Sequence, residues 1–154
     1  MAMSPADIWV RYNFPNLRNG YYTVTSPDTN DYNCLAWAAG ETDRKWDPND
    51  PDHYWPDGVP REQTIPAFIA AYATCGYVEC QSGEPEIGYE KIVIYAVGLI
   101  PKHAARQLVS GAWSSKLGDG WDIEHPTLDG IISPDYGQPR VFMKRSITYT
   151  ETQP

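Results

Sequence analysis

Residues 91–97 (KIVIYAV) constrain the fold most, because nearly every residue in this run is apolar. A strand that is apolar on both faces belongs in the middle of a sheet that is covered on both sides. Further strands are predicted at 77–80, 103–108, 112–117 and 140–144. Helices are predicted only earlier in the chain. This order, helices first and then a mostly antiparallel sheet, predicts one α+β domain that spans all 154 residues.

Capping residues mark two helices. Ser4 followed by Pro5 predicts the start of a short helix that ends near residue 12. Its residues expected to be buried are Ile8, Trp9 and Tyr12. Thr64 predicts the start of a second helix over about 65–75. Both helices should pack against the sheet through their apolar faces.

A third helix is predicted between Asn30 and Gly40. Asn and Asp residues precede it, alanines fill it, and Gly40 can adopt the left-handed conformation that ends a helix. Cys34 therefore lies in its first turn. A helix start favours a thiolate, because its N–H groups are unpaired and its dipole is positive there. We expect the pKa of Cys34 to be lowered.

His103 is the candidate proton acceptor for this thiol. It follows Pro101 and Lys102, which are predicted to form a turn, so its side chain is expected to project from the sheet edge. A thiol nucleophile needs a base that takes its proton and returns it to the leaving group. A third polar group usually orients the imidazole of that base.

Three segments and one further histidine carry a family resemblance. They are YNCLAWA at 32–38, HAARQL at 103–108 and WSSKLG at 113–118, followed by His125. Together they resemble small bacterial papain-like domains akin to the NlpC-type and amidase-type cell-wall cysteine peptidases. The resemblance implies a papain-like fold, with a short cysteine-bearing helix packed on the sheet. It also implies that Cys34 is the nucleophile and His103 the base.

The third catalytic residue is expected on the strand after the histidine or just beyond it. Asp119 has about the right separation from His103, and Ser115 and Asp122 are competitors. The glutamine that papain places before its cysteine, in the oxyanion hole, is absent here. Asn33 is the substrate-binding candidate in its place, with Asn30 as the alternative, although Asn33 is equally suited to cap the helix.

The 41–63 segment is predicted to be a long loop with large rings. Trp46, Tyr54 and Trp55 either anchor this loop to the domain or form a wall of a substrate cleft. We take Trp55 as the candidate contact with substrate. Cys75 and Cys80 are expected to be free, structural thiols.

No metal or cofactor is expected. The acidic residues of the 41–63 loop do not have the spacing of a calcium loop, because Pro48 and Pro51 interrupt it. No cysteine or histidine pair has the spacing of zinc ligands. His53 is expected to be solvated. His125 is expected in a turn, where it either bonds a backbone carbonyl or lines the same cleft as His103.

The formal charge of −8 opposes non-specific binding to nucleic acid or to an anionic membrane. The start of the sequence lacks the basic and apolar segments of a signal peptide, so we expect a cytoplasmic protein, with specialised export left open. The expected activity is thiol-dependent hydrolysis or transfer at an amide bond, in a peptide, a peptidoglycan stem or a glutamine side chain. By analogy with the papain-like family, a secreted effector or toxin domain is a further expected role. The alternative is a non-catalytic acidic module, of the immunity type or with a dead papain-like site, that binds a protein partner.

Overall fold

The computed structural model describes residues 3–118 and 120–147. The helices are α1 (Pro5–Asn13), α2 (Cys34–Ala39) and α3 (Ile65–Ala73), with 3₁₀ turns at Pro15–Leu17 and Leu128–Ile131. The strands are β1 (Thr23–Ser26), β2 (Val78–Cys80), β3 (Tyr89–Val97), β4 (Ile100–Gln107), β5 (Trp113–Lys116), β6 (Asp122–His125) and β7 (Gln138–Ser146). The predicted α+β class is confirmed.

The strands form one antiparallel sheet in the order β1-β6-β5-β4-β3-β7-β2. β3 lies inside it, between β4 and β7. Its residues alternate between the two faces, and Ile92 to Ala96 are all buried. The prediction of a strand with two covered faces is therefore confirmed.

Each face of the sheet has its own core. On one face α2, α3 and the 41–63 loop, called the aromatic loop below, pack against Ile92, Ile94, Ala104 and Met143. On the other face α1 and the 3₁₀ turns, which include Ile131, pack against Val93, Tyr95, Ala105, Trp113, Leu117 and Ile123. No helix in the described ranges has the length and apolar character needed to cross a membrane.

α1 begins as predicted but presents a different face. Ser4 caps it by accepting a hydrogen bond from the N–H of Asp7. Ile8 and Tyr12, expected to be buried, are 59% and 80% exposed, whereas Val10 is fully buried. Val10 packs in one cluster with Phe14 and Leu17, which follow the helix. The chain beyond the helix therefore determines which face is buried.

The hairpin between β3 and β4 turns earlier than predicted. Its turn lies at Gly98 and Leu99, and Pro101 and Lys102 belong to β4. His103 therefore lies within β4, where it pairs with Tyr95 of β3, and its side chain is fully buried. The expectation that it projects from a sheet edge was wrong.

β6 is a strand that the sequence did not predict. His125 was expected in a turn, yet it is the last residue of β6 and pairs with Trp113 of β5. Three of its four residues are polar, and Asp122 and His125 are nevertheless buried, so its polar composition concealed it.

Candidate active site

Cys34 is the first residue of α2, and Asn33 is its N-cap. The Asn33 side chain accepts hydrogen bonds from the N–H groups of Ala36 and Trp46, at 3.2 and 3.1 Å, and donates to the carbonyl of Trp46 at 2.7 Å. These bonds use both its oxygen and its amide nitrogen. The capping role that the sequence allowed is thus confirmed, and it fixes the aromatic loop to the start of the helix.

Two side chains hold α2 over the sheet. The indole N–H of Trp37 donates to Ser114 Oγ of β5 at 3.1 Å. The hydroxyl of Tyr72, on α3, donates to the carbonyl of Leu35 at 2.9 Å. Gly40 ends the helix with φ of 88°, in the left-handed region that glycine adopts without strain. The short helix is therefore anchored at its start, middle and end.

The thiol of Cys34 is protonated at neutral pH. Burial raises its pKa to about 11. Main-chain hydrogen bonding by Ala104 and Leu35, and the positive charge of Lys116, act in the opposite direction without offsetting burial. The expectation of a lowered pKa was therefore wrong. The cost of removing a thiolate from water exceeds the stabilisation that this helix start gives to it.

The thiol meets the main chain of β4 at Ala104, the residue after His103. The register of β4 with β5 comprises the pairs Arg106–Ser114 and Gln107–Trp113. Ala104 lies beyond these pairs. Cys34 is thus placed against the strand that carries His103, at the end of the β4–β5 pairing.

His103 belongs to a chain of hydrogen bonds across β4, β5 and β6. Its Nε2 lies 3.1 Å from Ser115 Oγ, which lies 2.8 Å from His125 Nε2. His125 Nδ1 lies 2.9 Å from the carbonyl oxygen of Thr127. We call this chain, Thr127–His125–Ser115–His103, the histidine relay.

The relay determines where the protons lie. The carbonyl of Thr127 can only accept, so His125 carries its proton on Nδ1 and its Nε2 accepts from the Ser115 hydroxyl. Ser115 Oγ then accepts from Nε2–H of His103, which leaves Nδ1 of His103 as a proton acceptor. This nitrogen is buried and has no hydrogen-bond partner within residues 3–118 and 120–147.

Both histidines are neutral at pH 7. Burial lowers the pKa of His103 well below its usual range, and His125 lowers it further. Burial also lowers the pKa of His125 to about 4. The proton positions of the relay therefore hold over the whole neutral range.

Tyr136 stacks on His103 with ring centroids 4.1 Å apart and ring planes 8° from parallel. It lies in a turn where the N–H of Gly137 donates to the carbonyl of Ser133 at 2.8 Å. A Cβ on Gly137 would lie 2.0 Å from the carbonyl oxygen of Ala96, so only glycine permits this close approach to β3. Sequence reasoning missed Tyr136, because Gly137 indicates only a turn and not which side chain the turn places on His103.

A pocket of about 210 Å³ opens beside Cys34. Its lining includes Cys34, Asn33, Trp46, Asn49, Gln63 and Lys102. Asn49 donates to Gln63 Oε1 at 3.0 Å, and Gln63 donates to the carbonyl of Pro101 at 2.8 Å. The aromatic loop thus lies against the start of α2 and forms part of a polar pocket beside the thiol.

Trp55 does not line this pocket. It is 4% exposed, its ring lies 5.5 Å from that of Phe68, and its N–H donates to the carbonyl of Pro60 at 2.9 Å. The loop tryptophan that lines the pocket is Trp46. Trp55 is therefore a core residue rather than a contact for substrate.

The three candidates for the orienting residue have different positions. Asp119 lies outside the described residues. Asp122 accepts a hydrogen bond from the hydroxyl of Tyr32 at 2.6 Å. Burial, and then this bond, raise the pKa of Tyr32 to about 12. Ser115 is the candidate that contacts His103.

The remaining candidates are accounted for within the described part of the chain. Cys75 and Cys80 are free and half-buried. His53 lies in the loop with its Nδ1 3.2 Å from a carboxylate oxygen of Asp50. His125 combines both roles considered for it, since it bonds a backbone carbonyl and joins the network of His103. No group of three His, Cys, Asp or Glu residues in 3–118 and 120–147 could hold a metal ion.

Fold and site together define an α+β domain in which a cysteine at a helix start contacts the strand that carries His103, in an antiparallel sheet. The chain belongs to the family described as Domain of unknown function (DUF7689), whose family model matches residues 23–144. The matched residues include α2, α3, Cys34 and the whole histidine relay, but not α1. No curated protein and no solved structure matches the chain.

Proposed function

We propose that this protein is a papain-like thiol hydrolase or transferase that acts on an amide bond, with Cys34 as nucleophile and His103 as base. The observation that carries the proposal is the free proton-accepting Nδ1 of His103. The histidine relay fixes that nitrogen as an acceptor, and the thiol contacts the next residue of the same strand. A buried acceptor without a partner is rare in folded proteins and is typical of functional sites.

The reaction begins from a neutral pair. As Cys34 Sγ attacks the substrate carbonyl carbon, its proton passes to Nδ1 of His103. The amide C–N bond then breaks, and the same proton leaves with the amine. Water, or an acceptor amine in a transferase, attacks the resulting thioester and restores the thiol. Proton transfer accompanies attack because the raised pKa of Cys34 disfavours a thiolate at rest.

Ser115 orients the imidazole in this scheme, as a third group does in other triads. It accepts from Nε2–H and so stabilises the imidazolium that forms during the reaction. In this scheme the main-chain N–H groups at the start of α2 bind the developing oxyanion. The polar pocket beside Cys34 suits a peptide or another amide, such as a peptidoglycan stem or a glutamine side chain.

The test uses an acyl donor whose reaction does not depend on side-chain specificity. p-Nitrophenyl acetate should transfer its acetyl group to Cys34, releasing nitrophenolate in a burst, and intact-mass and peptide analysis should locate the thioester. Cys34→Ala should abolish the burst, whereas Cys75→Ala should retain it. Acetylation spread equally over the three cysteines, or a burst that survives in Cys34→Ala, would overturn the proposal.

A second candidate function is a non-catalytic module that binds a basic protein. The raised pKa of Cys34 and the complete burial of His103 favour it. The net charge of −8 suits a basic partner. A folded protein that shows no acetylation of Cys34 would favour this function over hydrolysis.

A further inference from the structure

A second cavity lies on the sheet face opposite the Cys34 pocket. It has a volume of about 150 Å³, and the rings of Trp9, Phe14 and Tyr136 line it together with Leu117. An apolar cavity of about this volume holds a group as large as benzene. The space therefore fits one side chain rather than an extended ligand.

Tyr136 connects this cavity to the candidate catalytic residues. Its ring lines the cavity and also stacks on His103 at 4.1 Å. Its pKa is raised by burial and further by Cys34 and Asp135, so its hydroxyl lies within electrostatic range of the thiol. A side chain in the cavity would thus be separated from His103 by a single ring.

Among the described residues that line the cavity, one charge is free. Asn13 Nδ2 donates to the carbonyl of Trp9, and Ser133 Oγ accepts from the N–H of Tyr136. Asp135 also lines the cavity, its side chain is exposed, and it has no hydrogen bond or ion pair to any described residue. The uncompensated charge at this cavity is therefore negative.

We propose that this cavity binds a lysine or arginine side chain of a peptide or protein ligand. Such side chains bury an apolar stem while keeping a charged head near water. The stem would lie against Trp9, Phe14 and Tyr136, with the cationic head close to an aromatic ring and to Asp135. A carboxylate in the same place would face Asp135 and the net charge of −8, and a purely aliphatic side chain would leave Asp135 unpaired.

The cavity lies across the sheet from the Cys34 pocket, so its binding of a basic side chain depends neither on catalysis nor on the proposed function. Two of its rings, Trp9 and Phe14, precede residue 23, where the family match begins. The preference for a basic side chain is accordingly built in part by α1 and the residue that follows it.

The experiment compares three blocked pentapeptides, acetyl-Gly-Ala-X-Ala-Gly-amide, in which X is lysine, norleucine or glutamate. Binding is followed by tryptophan fluorescence in Cys34→Ala, which cannot turn the peptides over. The lysine peptide should bind at least tenfold more tightly than the norleucine peptide, and the glutamate peptide should bind most weakly. Equal affinities for the lysine and norleucine peptides would overturn the proposal.

Two further variants locate the site, each made in the Cys34→Ala background. Asp135→Asn should reduce the lysine preference to less than threefold, whereas Asp57→Asn, which removes an exposed carboxylate from the aromatic loop, should preserve it. An unchanged preference in Asp135→Asn would also overturn the proposal. Circular dichroism checks that each variant is folded.

The two proposals fail separately. A lysine preference in Cys34→Ala, combined with no acetylation of Cys34 in the unmodified protein, would remove the hydrolase and leave the binding site. Acetylation of Cys34 without any lysine preference would do the reverse.

Discussion

Ser115 Oγ lies 3.1 Å from Nε2 of His103, and this contact determines which ring nitrogen of His103 carries the proton. The hydroxyl donates toward His125, so its oxygen is available to accept from His103. A serine is thus sufficient to set the tautomer of a buried base, without a carboxylate beside it. The low polarity around the histidine relay keeps both rings neutral.

Replacing Ser115 by alanine should slow acyl transfer and also weaken the fold. The change leaves Nε2 of both histidines without its partner, which costs on the order of 1–3 kcal/mol per buried group. The burst rate should fall by about 10–100-fold, as when groups that orient a functional histidine are removed elsewhere. Stopped-flow release of nitrophenolate and urea unfolding measure the two effects on the same sample.

Ser114→Ala is the matched control for that variant. Ser114 is the neighbouring residue of β5 and accepts one hydrogen bond, from Trp37. Ser114→Ala leaves one hydrogen-bond partner unsatisfied where Ser115→Ala leaves two, so it should lose less stability and keep the burst rate. Equal loss of rate in both variants would show that Ser115 only stabilises the fold.

Alkylation of Cys34 should depend steeply on pH. With its pKa raised to about 11 by burial, the thiolate fraction grows about tenfold per pH unit up to that value. The rate of carbamidomethylation by iodoacetamide should therefore keep rising from pH 7 to pH 10, as followed by peptide mass analysis. A plateau below pH 8 would indicate an activated thiolate and contradict the environment described for Cys34.

Acid should weaken the fold through the buried histidines. The pKa of His125 is about 4 in the folded protein and near 6.5 when unfolded, so only the unfolded chain gains its proton between these values. Stability from this group is present above pH 6.5 and is lost as the pH falls toward 4. The loss approaches roughly 3 kcal/mol, at about 1.36 kcal/mol per pKa unit.

His125→Gln tests this dependence because glutamine does not titrate. Between pH 6.5 and 4.5 its free energy of unfolding should fall less than that of the unmodified protein, as measured by urea unfolding. If His125→Gln follows the unmodified protein across this range, His125 does not titrate as described.

The helix that carries Cys34 could be predicted from the sequence, because the residues that mark its start and end are close together along the chain. Asn33, Cys34 and Gly40 mark a helix within 8 residues, and the structure confirms each position. Strand β3 could be predicted equally well from its run of apolar residues. These features depend on neighbours along the chain, so propensity and capping are enough to identify them.

The histidine relay could not be predicted in full, because strand register brings it together. Ser115 and His125 are 10 residues apart and meet only because β5 pairs with β6. The polar pattern of β6 gave no strand signal, and the stacking of Tyr136 depends on a turn held against β3. In α1, likewise, packing with Phe14 and Leu17 overrode the expected burial of Ile8 and Tyr12.

Trp55→Ala should cost stability and leave acyl transfer by the surviving folded protein unchanged. Trp55 is 4% exposed, packs on Phe68 and Trp46, and lies outside the lining of the Cys34 pocket. Deleting such a core aromatic costs about 3–5 kcal/mol. Trp55→Phe keeps most of the buried area and loses the hydrogen bond to Pro60, so its cost should be much smaller. Urea unfolding and the nitrophenolate burst, normalised to folded protein, are measured on both variants. A Trp55→Ala protein of nearly normal stability whose burst is lost would instead place this ring in the substrate cleft.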